Sequence, residues 1–251
     1  MLIPQRDSKT FQVLYTGNDG EEIGLDEVQL LDDPSSERIH ELEALLNDPN
    51  LYIRYQAILI LTAWGFESGI HGAEIMISQG CVDGLNLSPH RITGKDNRFD
   101  DLAEAIHLYV LSGGSHNRAL NAFKSLLGIY SQHFFESKFK RALLKHADVE
   151  ISVYLAVAIK NCLQSCKFYQ GSQLLPVLAK LEPHNFWAVL PEFRVISGQI
   201  PVPAANIAEA LRFISTEESS KLLIQYLSHD GVGVALEAQE SIDFMRRQAE
   251  K

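Results

Sequence analysis

The chain has 251 residues, 46% of them hydrophobic and 22% charged, with a formal net charge of −10. That length and apolar fraction exclude a disordered, collagen-like or disulfide-stapled protein and predict a buried core in one large or two small domains. The first 50 residues hold twelve acids against three bases, a net −9, while residues 51–251 hold 20 acids and 19 bases.

The start, Met1-Leu2-Ile3-Pro4-Gln5-Arg6-Asp7, lacks the apolar stretch of a signal peptide, and the strongest apolar run, Ala57 to Trp64, is far too short to span a bilayer. A soluble, cytoplasmic protein is expected. Three cysteines, Cys81, Cys162 and Cys166, make no even framework and no CxxC pair, which fits reduced thiols. Cys162 and Cys166, four apart, are expected on one helical face as small buried thiols.

Phe11-Gln12-Val13-Leu14-Tyr15 has strand-like residues and Thr16-Gly17-Asn18-Asp19-Gly20 reads as a turn, so residues 1–34 are expected to form an acidic cap, irregular or a short β-hairpin. From residue 35 apolar residues recur at helical spacing almost to the end, and no further strand is predicted. Ser35 opens the first helix, whose early acids suit the helix dipole; it runs through Leu42, Leu45 and Leu46 and ends at Asn47-Asp48-Pro49. A second runs from Leu51 to Trp64, stopped by Gly65, with Ile53, Ala57, Leu61 and Trp64 as its buried stripe. A third covers 67–80, and residues 84–98 read as a long loop. Further helices are predicted near 99–111, 116–130, 134–146, 149–167, 171–180, 184–197, 204–214, 217–228 and 232–248, so the fold class is all-α, with residues 35–251 as one continuous helical domain.

Short helices with short connections invite a test for repeats. Leu46 to Ala57 aligns without a gap on Leu227 to Ala238, and more loosely on Leu144 to Ile151. Helix starts at 51, 149 and 232 are spaced by 98 and 83 residues, about twice the roughly 40–47-residue period of HEAT and armadillo units. Missing units would begin near 100 and 190, where helices are predicted at Phe99 and His184. Asp48-Pro49-Asn50-Leu51-Tyr52-Ile53-Arg54-Tyr55-Gln56-Ala57 resembles a HEAT repeat, with its turn Asp-Pro, an apolar residue followed by Arg, and an Ala one turn on. The other units lack the Pro and the Arg. The resemblance implies an α-solenoid whose concave surface binds a partner, more often a scaffold than an enzyme.

Chemistry-bearing motifs are few. No phosphate-cradling loop, dinucleotide fingerprint or nucleophile elbow is present, and no cofactor or metal is expected. Glu104 and His107 form an ExxH without a second copy, and Glu67 and His71 share a helical face without further zinc ligands. Residues 118–167 are the one basic stretch, eight bases against three acids with Phe134, Phe135 and Phe139 interleaved. It is the place where a nucleic-acid enzyme of HEAT-like type would bind, against the alternative of a solvated helix face over buried Phe.

The leading expectation is a non-enzymatic binding protein that grips a basic partner with its acidic N-terminal region. Its most concrete form is an immunity protein, an antitoxin that occludes a cationic nuclease toxin. The expected partner-binding residues are Glu21, Glu22, Asp26, Glu27, Asp32, Asp33, Glu37 and Glu41, with Tyr52 and Tyr55 as part-exposed aromatic anchors. The alternative is an adaptor or assembly scaffold using its concave face. Direct nucleic-acid binding through the acidic segment opposes counterion-release physics, and no membrane partner is expected.

Overall fold

A computed structural model of the chain describes residues 4–80, 86–194, 203–231 and 233–250. Those residues are all-α, with no strand among them. The chain divides into two compact units, one of Met1–Leu126 with His133–Ala142 and the other of Leu127–Gln132 with Leu143–Lys251.

The strand expected at the N-terminus is a helix, α1 (Lys9–Tyr15). Ser8 caps it, its hydroxyl accepting from Phe11 N at 3.1 Å, and Phe11 and Leu14, three apart, face the core. The predicted turn is present: Gly20 sits at φ +83°, Gly17 N donates to Glu21 O at 2.8 Å, and Ile23 N to Tyr15 O at 2.8 Å. These contacts leave a single bridge between Thr16 and Glu22. A β-hairpin is absent from the described residues, because the apolar side chains here point to one helical face rather than alternate.

After α2 (Leu25–Val28) come α3 (Ser36–Leu45), α4 (Leu51–Ala63), α5 (Glu67–Gln79) and α6 (Arg98–Leu111). Ser35 caps α3, accepting from Arg38 N at 3.2 Å, and Asn50 caps α4, accepting from Tyr52 N at 3.1 Å. The expected stripe on α4 understates its burial: every residue from Tyr55 to Ala63 is buried, while Ile53 and Trp64 are only partly so. The reason is packing on several sides, since α1, α2, α3, α5 and α6 all touch α4. Helix α5 approaches most closely through Gly69, where a Cβ would lie 2.3 Å from Thr62 N.

Helices α7 (His116–Ile129) and α8 (Lys138–His146) follow, then α9 (Ser152–Gln164), entered through a 3₁₀ turn at Val149–Ile151. The second unit continues with α10 (Phe168–Ser172), α11 (Leu175–Leu181), α12 (Pro183–Arg194), α13 (Ala204–Leu211), α14 (Glu217–Tyr226) and α15 (Val234–Ala249). Alternate helices stack, α9 on α11, α11 on α13 and α13 on α15, with α12 touching α11 and α14 touching α13 and α15. The single helix expected over 171–180 is two, α10 and α11, joined at Gln173 and Leu174. Of the expected loop at 84–98, residues 86–97 are irregular, Arg98 already belongs to α6, and 84–85 lie outside the described residues. Cys81, Val232 and most of the expected break at 198–203 also fall outside them.

Three helices end in the same way. After α4, Gly65 N donates to Thr62 O at 3.0 Å and Phe66 N to Leu61 O at 3.0 Å. After α6, Gly113 N donates to Val110 O at 3.1 Å and Gly114 N to Tyr109 O at 2.9 Å. After α9, Cys166 N donates to Leu163 O at 3.1 Å and Lys167 N to Cys162 O at 2.9 Å. This is the Schellman arrangement, which needs a left-handed residue just past the helix. Gly65 and Gly113 supply it at φ +83° and +88°, but the third position is Cys166 at φ +55°. Cys166 is therefore exposed beyond the end of α9, whereas Cys162 is buried, its thiol pushed up to about 11 by burial. The expected shared helical face is not formed, because α9 stops at Gln164. Cys166→Gly should stabilise the chain by about 0.5–1 kcal/mol, since left-handed backbone disfavours a Cβ. Denaturant unfolding checks this, with unchanged m and a raised midpoint expected.

Candidate functional site

A half-buried arginine ties the acidic segment to the backbone of α1. Arg38, on α3, reaches back to α1: its Nε donates to Val13 O at 3.0 Å, and its Nη2 to Val13 O at 2.7 Å and Thr16 O at 2.8 Å. Carbonyls at a helix C-terminus lack intrahelical donors and carry the negative end of the dipole, so a guanidinium suits them doubly. The same guanidinium lies 5.5 Å from the Trp64 ring centroid, a cation–π distance. Trp64 in turn donates its indole N–H to Val28 O at 3.0 Å, holding the end of α2. Burial lowers the pKa of Arg38, which still remains charged at neutral pH.

On this frame Glu21, Glu22, Asp26, Glu27, Asp32, Asp33 and Glu37 are all exposed. Glu22 accepts from Arg6 at 3.2 Å, and Glu37 lies 3.8 Å from Lys9 Nζ, both in exposed pairs that contribute little energy. Glu41 differs, since its side chain is only 19% exposed and it is engaged by Lys9. It supports the segment more than it faces outward. Leu30, 65% exposed between the Asp26–Glu27 and Asp32–Asp33 pairs, was not singled out from sequence. Its sequence signal is a leucine flanked on both sides by pairs of acids, Asp26–Glu27 and Asp32–Asp33.

The two tyrosines separate. Tyr52 is half-buried beside Tyr15, whose hydroxyl donates to Gln56 Oε1. Tyr55 is 2% exposed and donates to Asp101 Oδ2 at 3.0 Å, so it is a core residue and no surface anchor. Around Asp101 the structure gathers a polar cluster with no counterpart in the sequence reading. Ser88 Oγ donates to Asp101 at 2.5 Å and Lys138 Nζ at 2.7 Å. The neighbouring Asp100 is fully buried and accepts from Phe139 N at 2.8 Å and Lys138 N at 3.2 Å, capping α8 from another helix. Burial works against the Lys138 ammonium, but Asp101, with help from Asp26 and Asp100, keeps its pKa above the ordinary value. Asp96 binds the buried Arg98 at 2.5 Å and accepts from Ser88 N at 3.1 Å, fixing the loop before α6. The cluster closes a fold junction, with each carboxylate already occupied by donors.

Three of the eight bases of the basic stretch are paired in the same manner. Arg118 pairs with Glu74 at 2.8 Å and with Glu67, Lys138 with Asp101 at 2.7 Å, and Arg141 with Glu104 at 2.6 Å. Phe135 and Phe139 are buried and Phe134 half-buried. Glu67 and Glu104, the carboxylates of the two short His-containing spacings, are thus engaged by arginines. Among the described residues no group of three or more His, Cys, Asp and Glu could hold a metal ion, and no helix is long and apolar enough to cross a membrane.

Neither a scan against models of protein families nor searches of curated proteins and of solved structures finds a match to this chain.

Arg38→Met removes the donors and the cation–π contact together and should cost about 2–4 kcal/mol. Hydrogen exchange of the α1 and α2 amides should accelerate while α13 stays protected. Asp100 yields a pH prediction. Burial raises its pKa from 3.8 to about 6, opposed by the two amides and partly reinforced by Asp101. The folded chain then binds more protons than the unfolded chain across that window, so this contribution to stability is full below the lower value and is lost as pH rises through the upper one. Asp100→Asn should flatten the fall in stability between about pH 4 and 6, as read by denaturant midpoints at each pH.

Proposed function

We propose that this chain is a non-enzymatic, protein-binding helical-repeat protein whose acidic N-terminal surface docks a basic protein, most concretely an immunity protein that occludes a cationic nuclease toxin. The observation that carries the reading is the exposure of seven of the eight expected carboxylates on a segment tied to the core by Arg38 and Trp64. A preorganised anionic face loses little entropy on docking and accelerates encounter with a cationic one. Leu30 would supply the apolar contact that survives salt, beside Tyr52 rather than Tyr55. Alternate-helix stacking in the second unit, and the recurrence of one helix-ending motif at Gly65, Gly113 and Cys166, support the helical-repeat part.

A second reading, an adaptor that binds through an apolar face, is favoured by one feature. Val153 and Val157 stand exposed on α9, which also contributes to a groove of about 450 Å³ whose floor of Ile159, Leu163, Leu178 and Val189 is mixed with Lys160, Gln164, Asn185 and Glu192. The two readings differ in salt response.

Reversing Glu21, Glu22, Asp26 and Glu27 to Lys together should slow association with a basic partner about tenfold or more at low salt, with helical content unchanged. Stopped-flow association across a salt series reads this. An unchanged rate would remove the acidic surface from the interface and leave the α9 groove.

A further inference from the structure

The second unit contains a cavity of about 230 Å³ between the end of α12 and helices α13 and α14. Its volume is below the roughly 300–1,000 Å³ of sites for drug-sized ligands, so an occupant would be small. Phe193, Ile207 and Leu222 make its wall apolar, and Arg194, Tyr226 and His229 supply polar groups on the same lining. In a chain of net charge −10, none of the described residues lining this cavity is acidic.

Three of the four polar side chains on the lining, Arg194, Tyr226 and His229, can donate, and the fourth, Gln225, carries an amide that both donates and accepts. Among the described residues Arg194 has no ion-pair partner, and its charge is felt at the half-buried Tyr226 hydroxyl, whose pKa burial raises and Arg194 pulls back. His229 Nδ1 accepts from Gly231 N at 2.9 Å, which leaves Nε2 as the donor of the neutral ring. The His229 and Tyr226 rings lie 6.0 Å apart, close enough for one ligand group to meet both. A guanidinium fork, a phenol hydroxyl and an imidazole N–H are all donors, and such a set is complementary to an acceptor-only anion. The apolar wall beside them excludes a fully hydrated ion such as phosphate as the best occupant, because its remaining oxygens would be desolvated without partners.

We infer that this cavity is a binding site for a small organic carboxylate with an apolar body. The carboxylate meets Arg194, Tyr226 and His229, and the body lies against Phe193, Ile207 and Leu222. The inference is independent of the acidic surface, which lies in the other unit.

The test is an NMR titration of the full chain with sodium benzoate, benzyl alcohol and inorganic phosphate. Benzoate should shift amides around Ile207, Tyr226 and His229, with benzyl alcohol and phosphate each at least about tenfold weaker. Arg194→Gln, at an exposed position that should leave the fold intact, should weaken benzoate by about tenfold or more, and Tyr226→Phe by a smaller factor. Equal binding of benzyl alcohol would overturn the carboxylate assignment, and equal binding of phosphate would overturn the apolar body. Absence of shifts with benzoate up to about 10 mM, or unchanged affinity in a folded Arg194→Gln variant, would overturn the site itself.

Discussion

The guanidinium of Arg38 is the contact on which the N-terminal surface depends. A segment with a net charge of −9 repels itself, and it is held in place by Val13, Leu14 and Val28 packing on Leu42, Ala57, Ile60 and Leu61 and by polar contacts that fix the end of α1. Arg38 does so without approaching a carboxylate, by satisfying carbonyl oxygens at the end of α1 and resting on Trp64. A neutral backbone acceptor anchors the helix without consuming any of the surrounding carboxylates. Had the anchor been an ion pair with one of those acids, the outward charge would have been smaller. A charge-assisted hydrogen bond of this kind contributes about 1.5–3 kcal/mol, which adds to the burial of Phe11, Val13 and Leu14 in ordering a seven-residue helix that would not form alone.

The same principle, with a different sign, shapes the rest of the first unit. Arg118 on α7 and Lys138 and Arg141 on α8 are held by acids on α5 and α6, which reduces the sequence-local excess of positive charge at the level of the fold. Seven of the eight N-terminal carboxylates are exposed, two of them in weak exposed pairs with Arg6 and Lys9. The proposed interface follows from that imbalance, and the small donor-lined cavity in the second unit is its inverse, with a cation and no lining acid.

What could be read from the sequence was local. Ser35 and the Asp48-Pro49-Asn50 turn declare their helix starts because a cap bonds to amides two or three residues away. Gly65 declares a helix end because its positive φ favours glycine. Cys166 fills an equivalent position without glycine, so the stop after Gln164 was hidden and the helix was expected to continue. Phe11–Tyr15 was ambiguous for another reason: four apolar and aromatic residues around Gln12 suit either period, and Ser8 with the core beneath decides for the helix. Tyr55, expected to be part-exposed, is buried, and its partner Asp101, 46 residues distant, was not legible beside it in sequence. The Asp100 cap on α8 is equally non-local, 39 residues from Phe139. The exposed acids were legible from charge density alone; the contact from Arg38 that orders them, 25 residues from Val13, was not.

The most direct measurement is affinity capture with the full chain from a lysate of its native host, loaded at low salt, eluted in salt steps and identified by mass spectrometry. The account predicts recovery of a strongly basic protein that elutes at moderate salt and fails to bind when its cationic face is neutralised. Recovery of nucleic acid, or of a protein that no salt step releases, would contradict it.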